Sequence, residues 1–159
     1  MSSGAVAARV AALLIERRQT VAVAESSAGG LVAARLLAVP GASAYFLGGG
    51  VIYTVAARAG LLGIRPEDMA GMRPSTEAYA RLLAERVRQR LGADWGLAET
   101  GAAGPSGNRY GDAAGHACFA ACGPLTLAKT LETVSPDRAA NMEAFAEAAL
   151  QLLEGALTG

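Results

Sequence analysis

The spacing of hydrophobic residues predicts helices that alternate with strands in the first part of the chain. Residues 4–19 carry hydrophobic side chains at helical spacing, with charged residues on the opposite side. The apolar run 20–24 predicts a buried strand, and the pattern over 31–39 predicts a second helix. The apolar, glycine-rich segment 45–54 predicts another strand, whose glycines would allow a backbone or a ligand to approach closely.

The rest of the chain continues this alternation and adds a hairpin. A short helix is predicted over 56–62, a longer helix over 75–91 and a strand over 94–100. Two further strands, HACFAAC and LTLAKTLETV, are separated by a Gly-Pro pair, as in a hairpin. A final helix is predicted from Pro136 to about Leu153. Elements in this order predict an α/β fold, a three-layer α/β/α sandwich with a mixed sheet.

Length and composition narrow the class of protein. A chain of 159 residues with no repeat or linker is expected to form a single domain over 1–159. Hydrophobic residues make up 52% and charged residues 18%, which excludes a disordered chain. The 14 basic and 14 acidic residues balance, and no basic cluster marks a nucleic-acid partner. With so little charge, an exposed apolar face would self-associate, so we expect a homo-oligomer.

The beginning of the chain lacks the pattern of a targeting or membrane segment. No basic region precedes its apolar stretch, which Arg9 and Glu16 interrupt. We therefore expect neither a signal peptide nor a membrane span, and a cytoplasmic location.

The two cysteines, Cys118 and Cys122, lie four residues apart in a predicted strand. This separation corresponds to roughly 13 Å, which is too far for a disulfide bond. With a single histidine in the chain, the spacing is a weak metal signal. We interpret both cysteines as core residues and expect neither a metal site nor a cofactor.

Two glycine-rich loops follow predicted strands, at the edge of the sheet where α/β folds bind ligands. The first loop, ESSAGG at 25–30, leads into a helix, and backbone N–H groups there would suit a phosphate or an oxyanion. Ser26 lies where a nucleophile belongs, although spacing alone favours the alternative that Ser26 or Ser27 simply caps the helix. The second loop, TGAAGPSGN at 100–108, is either a binding loop or merely a flexible one.

These loops and their flanking segments resemble the CinA C-terminal domain family. The matching segments are AESSAGGLVAARL, PGASAYFLGGGVIYT, LLGI, RLGADWGLAETGAAGPSG and SPDRAA, and the resemblance covers about residues 5 to 153. The family's active members are nicotinamide mononucleotide (NMN) deamidases of the competence/damage-inducible fold. The resemblance therefore implies a metal-independent amidohydrolase without a cofactor, which converts NMN and water to nicotinate mononucleotide and ammonia. We expect a stand-alone form, without the N-terminal domain that some members carry.

The resemblance also implies roles for individual residues. Ser26 corresponds to the family's nucleophile and Thr100 to a threonine of the second loop, whereas Ser43 and Tyr53 match two further site positions. An unactivated hydroxyl is a poor nucleophile, so the family pairs its serine with a lysine. The loop glycines expected to contact the ligand are Gly29, Gly30, Gly101 and Gly104.

The position of the family's catalytic lysine is occupied by Arg58. A guanidinium stays protonated at any working pH, so Arg58 cannot activate Ser26, although it can stabilise an anion. We therefore expect weak or lost deamidase activity with a nucleotide-like ligand retained. An active NMN deamidase is one alternative. A non-enzymatic partner-binding protein related to competence or DNA damage is the other.

Other departures affect the expected charge of the site. Ala28 replaces a threonine of the first loop, Asp112 replaces a lysine, and Met142 replaces an arginine of the final helix. The loss of positive charge would weaken phosphate binding, for which Arg109 and Arg138 are candidates to compensate.

The only histidine, His116, offers a substitute for the missing base. Ser26, His116 and either Glu99 or Asp112 would make a relay in which the imidazole accepts the serine proton. The alternative is that His116 is an ordinary strand residue and Glu99 a solvated edge residue.

Overall fold

The computed structural model describes residues 4–159 and contains a five-stranded sheet covered by helices. Two short 3-10 turns at 42–44 and 66–69 interrupt the connections. The helices and strands, in chain order, are α1 (Gly4–Arg17), β1 (Val21–Glu25), α2 (Leu31–Leu37), β2 (Phe46–Val51), α3 (Val55–Leu62), α4 (Glu77–Leu91), β3 (Trp95–Ala102), β4 (His116–Cys122), β5 (Thr126–Glu132) and α5 (Arg138–Thr158).

The sheet has the strand order β2-β1-β3-β4-β5. Strand β1 is parallel to both β2 and β3, whereas β4 is antiparallel to β3 and to β5. The prediction of a mixed sheet that ends in a hairpin is therefore confirmed. The three parallel strands bring their carboxyl ends to one edge of the sheet.

The alternation of side chains along β1 separates two hydrophobic layers. Val21 and Val23 pack with α1, α2 and α5, whereas Ala22 and Ala24 pack with α4 and the end of α3. The fold is thus the three-layer α/β/α sandwich expected from the sequence. Cys118 and Cys122 are both buried and free, as their interpretation as core residues requires.

Three element ends differ from the sequence prediction because of local capping and burial. Strand β2 stops before Thr54, whose hydroxyl accepts the Ala57 N–H and caps α3. Helix α5 begins after Asp137, whose carboxylate accepts the Ala140 N–H. The same helix continues to Thr158 because Leu157 is still buried. Among residues 4–159, no helix combines the length and the apolar character that a membrane crossing requires.

Candidate functional site

A cavity of about 370 Å³, which we call the Ser26 cavity, opens where β1, β2 and β3 end. The first loop reaches it through Ser26 and the second through Thr100 and Gly101. Tyr53, after β2, and Arg58, on α3, line the same cavity. The structure therefore brings together these five residues that the sequence placed at the site.

Glu99 holds the loop that carries Ser26. Its carboxylate is fully buried and accepts the backbone N–H groups of Ser26 (2.9 Å) and Ala28 (2.8 Å), and also the Ser27 hydroxyl. Burial raises the pKa of Glu99, and these hydrogen bonds act in the opposite direction. The expectation of a solvated or relay carboxylate at Glu99 is wrong, because the side chain points into the first loop.

Glu25 performs a similar task at the start of α2. Its carboxylate accepts the N–H groups of Val32 (3.0 Å) and Ala33 (2.9 Å), and burial raises its pKa. Together, Glu25 and Glu99 occupy donors that the sequence analysis assigned to a bound phosphate or oxyanion. That assignment is corrected for these N–H groups, since the chain's own carboxylates use them.

The hydroxyl of Ser26 makes no hydrogen bond to any residue within 4–159. The N-cap residue of α2 is Gly30, and the first N–H groups of this helix donate to Glu25 and not to a serine. The interpretation of Ser26 or Ser27 as a simple helix cap is therefore wrong. Ser26 remains half-buried at the cavity wall with its hydroxyl available.

Arg58 places a positive charge in the cavity wall. Its guanidinium lies over the Tyr79 ring at 5.5 Å, and Nη1 is 3.5 Å from the Met69 sulfur. Arg109, directly after the second loop, lies against the Tyr110 ring at 5.2 Å. Across the described chain, neither arginine forms an ion pair with a carboxylate. Two unpaired guanidinium groups therefore line this cavity.

Ser75 orients Thr100, although the sequence analysis did not single it out. The Ser75 N–H donates to Thr100 Oγ1 at 3.1 Å, and its carbonyl accepts from His116 Nε2 at 2.8 Å. Its φ of 63° lies in the left-handed region, which a serine rarely adopts. No local sequence signal predicts this conformation, because the two contacts come from distant strands.

His116 does not form the relay proposed from the sequence. Its Nδ1 lies 2.5 Å from a Glu132 oxygen, and its Nε2 faces the Ser75 carbonyl. Both partners accept hydrogen bonds, so both ring nitrogens carry protons and neither is available to Ser26. Burial lowers the pKa of His116, but Glu132, Ser75 and nearby Asp112 outweigh this effect and raise it.

Asp112 also belongs to a structural network. Its carboxylate accepts from Arg73 at 2.8 Å and from the Asn108 amide at 2.9 Å. The hydrogen bond from Arg73 is the main cause that lowers the pKa of Asp112. The prediction of a relay through Asp112 is therefore also wrong, since this carboxylate binds Arg73 and fixes Asn108 at the end of the second loop.

Ser43 does not line the cavity, contrary to the expectation. It precedes β2, at the amino end of a strand whose carboxyl end borders the cavity. Six strand residues correspond to about 20 Å, which places Ser43 at the opposite edge of the sheet.

The four glycines that were expected to contact the ligand are required by backbone conformation or by strand packing. Gly29, Gly30 and Gly104 all have positive φ values and do not line the cavity. An added Cβ at Gly101 would lie 2.5 Å from the His116 carbonyl oxygen, so strand packing also requires this glycine.

Two residues of the final helix bear on the charge of the site: Arg138, a candidate to compensate for lost charge, and Met142, which replaces an arginine of the family pattern. Arg138 donates to the Gly104 carbonyl and, at 3.3 Å, to the Tyr53 hydroxyl, and so ties the second loop to the residues after β2. The methyl group of Met142 lies beside Gly29, where an added Cβ would come within 2.8 Å. A hydrophobic side chain thus covers the turn of the first loop.

Comparisons with known proteins agree with this architecture. A "CinA-like protein" of Desulfosudis oleivorans is 39% identical over 150 residues, which are 94% of this chain and 36% of that protein. A "CinA-like protein" of Synechocystis is 48% identical over 102 residues, 64% of this chain and 24% of that protein. The chain thus spans a quarter to a third of the length of these curated relatives.

Solved structures resemble the whole chain. A competence-damaged protein (CinA) superfamily protein of Klebsiella pneumoniae has a TM-score of 0.92 and 28% identity, and the match covers 99% of both chains. The competence/damage inducible protein CihA of Agrobacterium tumefaciens has a TM-score of 0.90 and 27% identity over 100% of both chains. The family model described as "CinA C-terminal domain" matches residues 3–157. With these similarities and the fold described above, the chain belongs to the CinA C-terminal domain family.

Proposed function

We propose that this domain is a diverged NMN amidohydrolase, which binds a nucleotide-like ligand in the Ser26 cavity and hydrolyses it slowly or not at all. The observation that carries this proposal is the chemistry of the cavity wall. Among the described residues that line it, none is Asp, Glu, His or Lys, and the titratable groups are tyrosines and arginines. Phenols and guanidinium groups do not accept a proton near neutral pH. Ser26 therefore has no base.

The charge of the wall supports ligand binding. Arg58 and Arg109 line the cavity without carboxylate partners, and guanidinium groups bind phosphate oxygens well. Since Glu25 and Glu99 occupy donors of the first loop, the phosphate of a ligand would bind to these arginines instead. Ser26 and Thr100 would contact the group that active members hydrolyse.

The test measures ammonia release from NMN and thermal stabilisation by NMN on the same protein. We expect hydrolysis to be at least about a hundredfold slower than in members with lysine at this position. This factor is the smallest rate enhancement that a positioned general base usually provides. NMN at about 100 times its Kd should still stabilise the fold by about 2.7 kcal/mol. Arg58→Lys alone should restore little activity, because Ala28 and Asp112 also depart from the family pattern.

Ser26→Ala serves as the control, since it should remove any residual ammonia release and leave the melting temperature nearly unchanged. Ordinary turnover by the unmodified chain would contradict the proposed loss of activity. Absence of stabilisation by NMN would contradict the proposed ligand and favour a partner-binding protein.

Self-association remains a prediction. Edge strand β2 exposes the side chains of Leu47 and Val51, which supports an interface between copies of the chain. A cytoplasmic location likewise remains an expectation from the sequence.

A further inference from the structure

A second cavity, of about 420 Å³, adjoins the Ser26 cavity. The two cavities share part of their wall, formed by Val55, Arg58, Pro74, Arg109 and Tyr110. They therefore lie side by side, with the two unpaired guanidinium groups at their common boundary. The family resemblance assigns no role to this second space.

The far wall of the second cavity is mainly apolar. It includes Ile64, Pro66, Met69 and Met72, and the methyl group of Ala59 borders it from α3. Methionine side chains are flexible and polarisable, and they adapt to flat aromatic rings. This wall therefore suits a planar ring system better than a sugar or a free phosphate.

The charges around the second cavity favour an anion at the shared boundary. Arg65 lies 3.8 Å from Asp68, and Arg73 lies 2.8 Å from Asp112, so both have acidic partners. Within residues 4–159, Arg58 and Arg109 have none, and both line the two cavities. An anionic linker that passes between the cavities would neutralise these two groups.

We propose that the two cavities form one bipartite site for a pyrophosphate-linked dinucleotide, with its pyridine nucleoside beside Ser26, its pyrophosphate against Arg58 and Arg109, and its second ring against Met69 and Met72. Small-molecule sites usually enclose about 300 to 1,000 Å³, so each cavity alone accommodates half of such a ligand. The inference rests on the proposed function for the pyridine half, and extends it to a larger substrate class.

The experiment compares NMN with nicotinamide adenine dinucleotide by isothermal titration calorimetry. Ala59→Phe would place a ring in the second cavity, since Ala59 is exposed on α3 and lines only that cavity. Ala56→Phe is the matched control, because Ala56 is exposed on the same helix and lines neither cavity. We expect the unmodified chain to bind the dinucleotide at least about tenfold more tightly than NMN.

Ala59→Phe should weaken dinucleotide binding at least about tenfold and change NMN binding less than about twofold, whereas Ala56→Phe should change neither. Dinucleotide binding no tighter than NMN binding, or equal losses for both ligands in Ala59→Phe, would overturn the bipartite site. If the dinucleotide binds and NMN does not, the bipartite site stands and the proposed mononucleotide ligand fails. If neither ligand binds, both proposals fail.

Discussion

At the scale of single residues, Glu99 connects the sheet to the loop that carries Ser26. The carboxylate lies 73 positions from Ser26 in the chain but 2.9 Å from its backbone nitrogen. Because three donors of the loop converge on this side chain, the loop conformation depends on it as well as on the glycines. The sequence left two possibilities for Glu99, a relay and a solvated edge position, and both are wrong because the burial and orientation of this side chain depend on the assembled strands.

Two replacements of Glu99 test whether the first loop requires a hydrogen-bond acceptor at this position or a negative charge. Glu99→Ala leaves the donors of Ser26, Ser27 and Ala28 unpaired, so the free energy of unfolding should fall by roughly 3 kcal/mol or more. Glu99→Gln should lose clearly less, because an amide oxygen still accepts from the backbone and no charge is buried. Urea unfolding at pH 7 measures both values. Equal losses in the two variants would show that the charge itself is required.

His116 makes stability depend on pH. Its pKa is raised in the folded state, chiefly by Glu132 and Ser75 against the opposing effect of burial, so its stabilisation is complete below the unfolded value of about 6.5. This contribution is lost as pH rises through the folded pKa. Since the Glu132 side chain is half exposed, we expect about 1 kcal/mol.

The measurement is urea unfolding of the unmodified chain and of His116→Gln from about pH 6 to pH 9. The difference in unfolding free energy between the two proteins should shrink as pH rises. A difference that is constant across this range would indicate a neutral imidazole with a purely structural role.

At the scale of elements, hydrophobic periodicity located the helices and strands, because each element buries one face with its own repeat. Their close approach depends on single small residues. Helix α4 packs against β3 at Gly96, where an added Cβ would lie 1.9 Å from the Ala84 carbonyl oxygen. Helix α4 also carries Tyr79, which supports Arg58 at the cavity, so the spacing of this layer affects the site.

Gly96→Ala should force α4 away from the sheet and lower the free energy of unfolding by roughly 1 to 3 kcal/mol or more. Gly60→Ala is the matched control on α3, because an added Cβ there meets no atom within 4 Å. This variant should be more stable than the unmodified chain by about 0.5 to 1 kcal/mol, as expected for alanine in a helix. Thermal unfolding followed by circular dichroism distinguishes the two, and similar losses in both would contradict the packing argument.

At the scale of the whole molecule, the topology produces a local charge that the composition does not show. The chain has a formal net charge of zero, yet Arg58 and Arg109 line the cavities without acidic partners within the described residues. Glu25 and Glu99 are engaged by backbone N–H groups, and Asp112 is paired with Arg73. The positive charge at this edge therefore arises from the pairing pattern of the folded chain and not from its overall charge.

The sequence by itself determined the order of elements, the three-layer fold, the family resemblance and the candidates Ser26, Thr100 and Arg58. These features are encoded in contiguous residues, as hydrophobic repeats, turn residues and loop motifs. Only the tertiary structure decided that Glu99 binds the first loop, that His116 bonds to Ser75, 41 residues away, and that a second cavity adjoins the first. Such contacts depend on strand order and side-chain direction across the sheet, because these bring together residues that are distant in the chain.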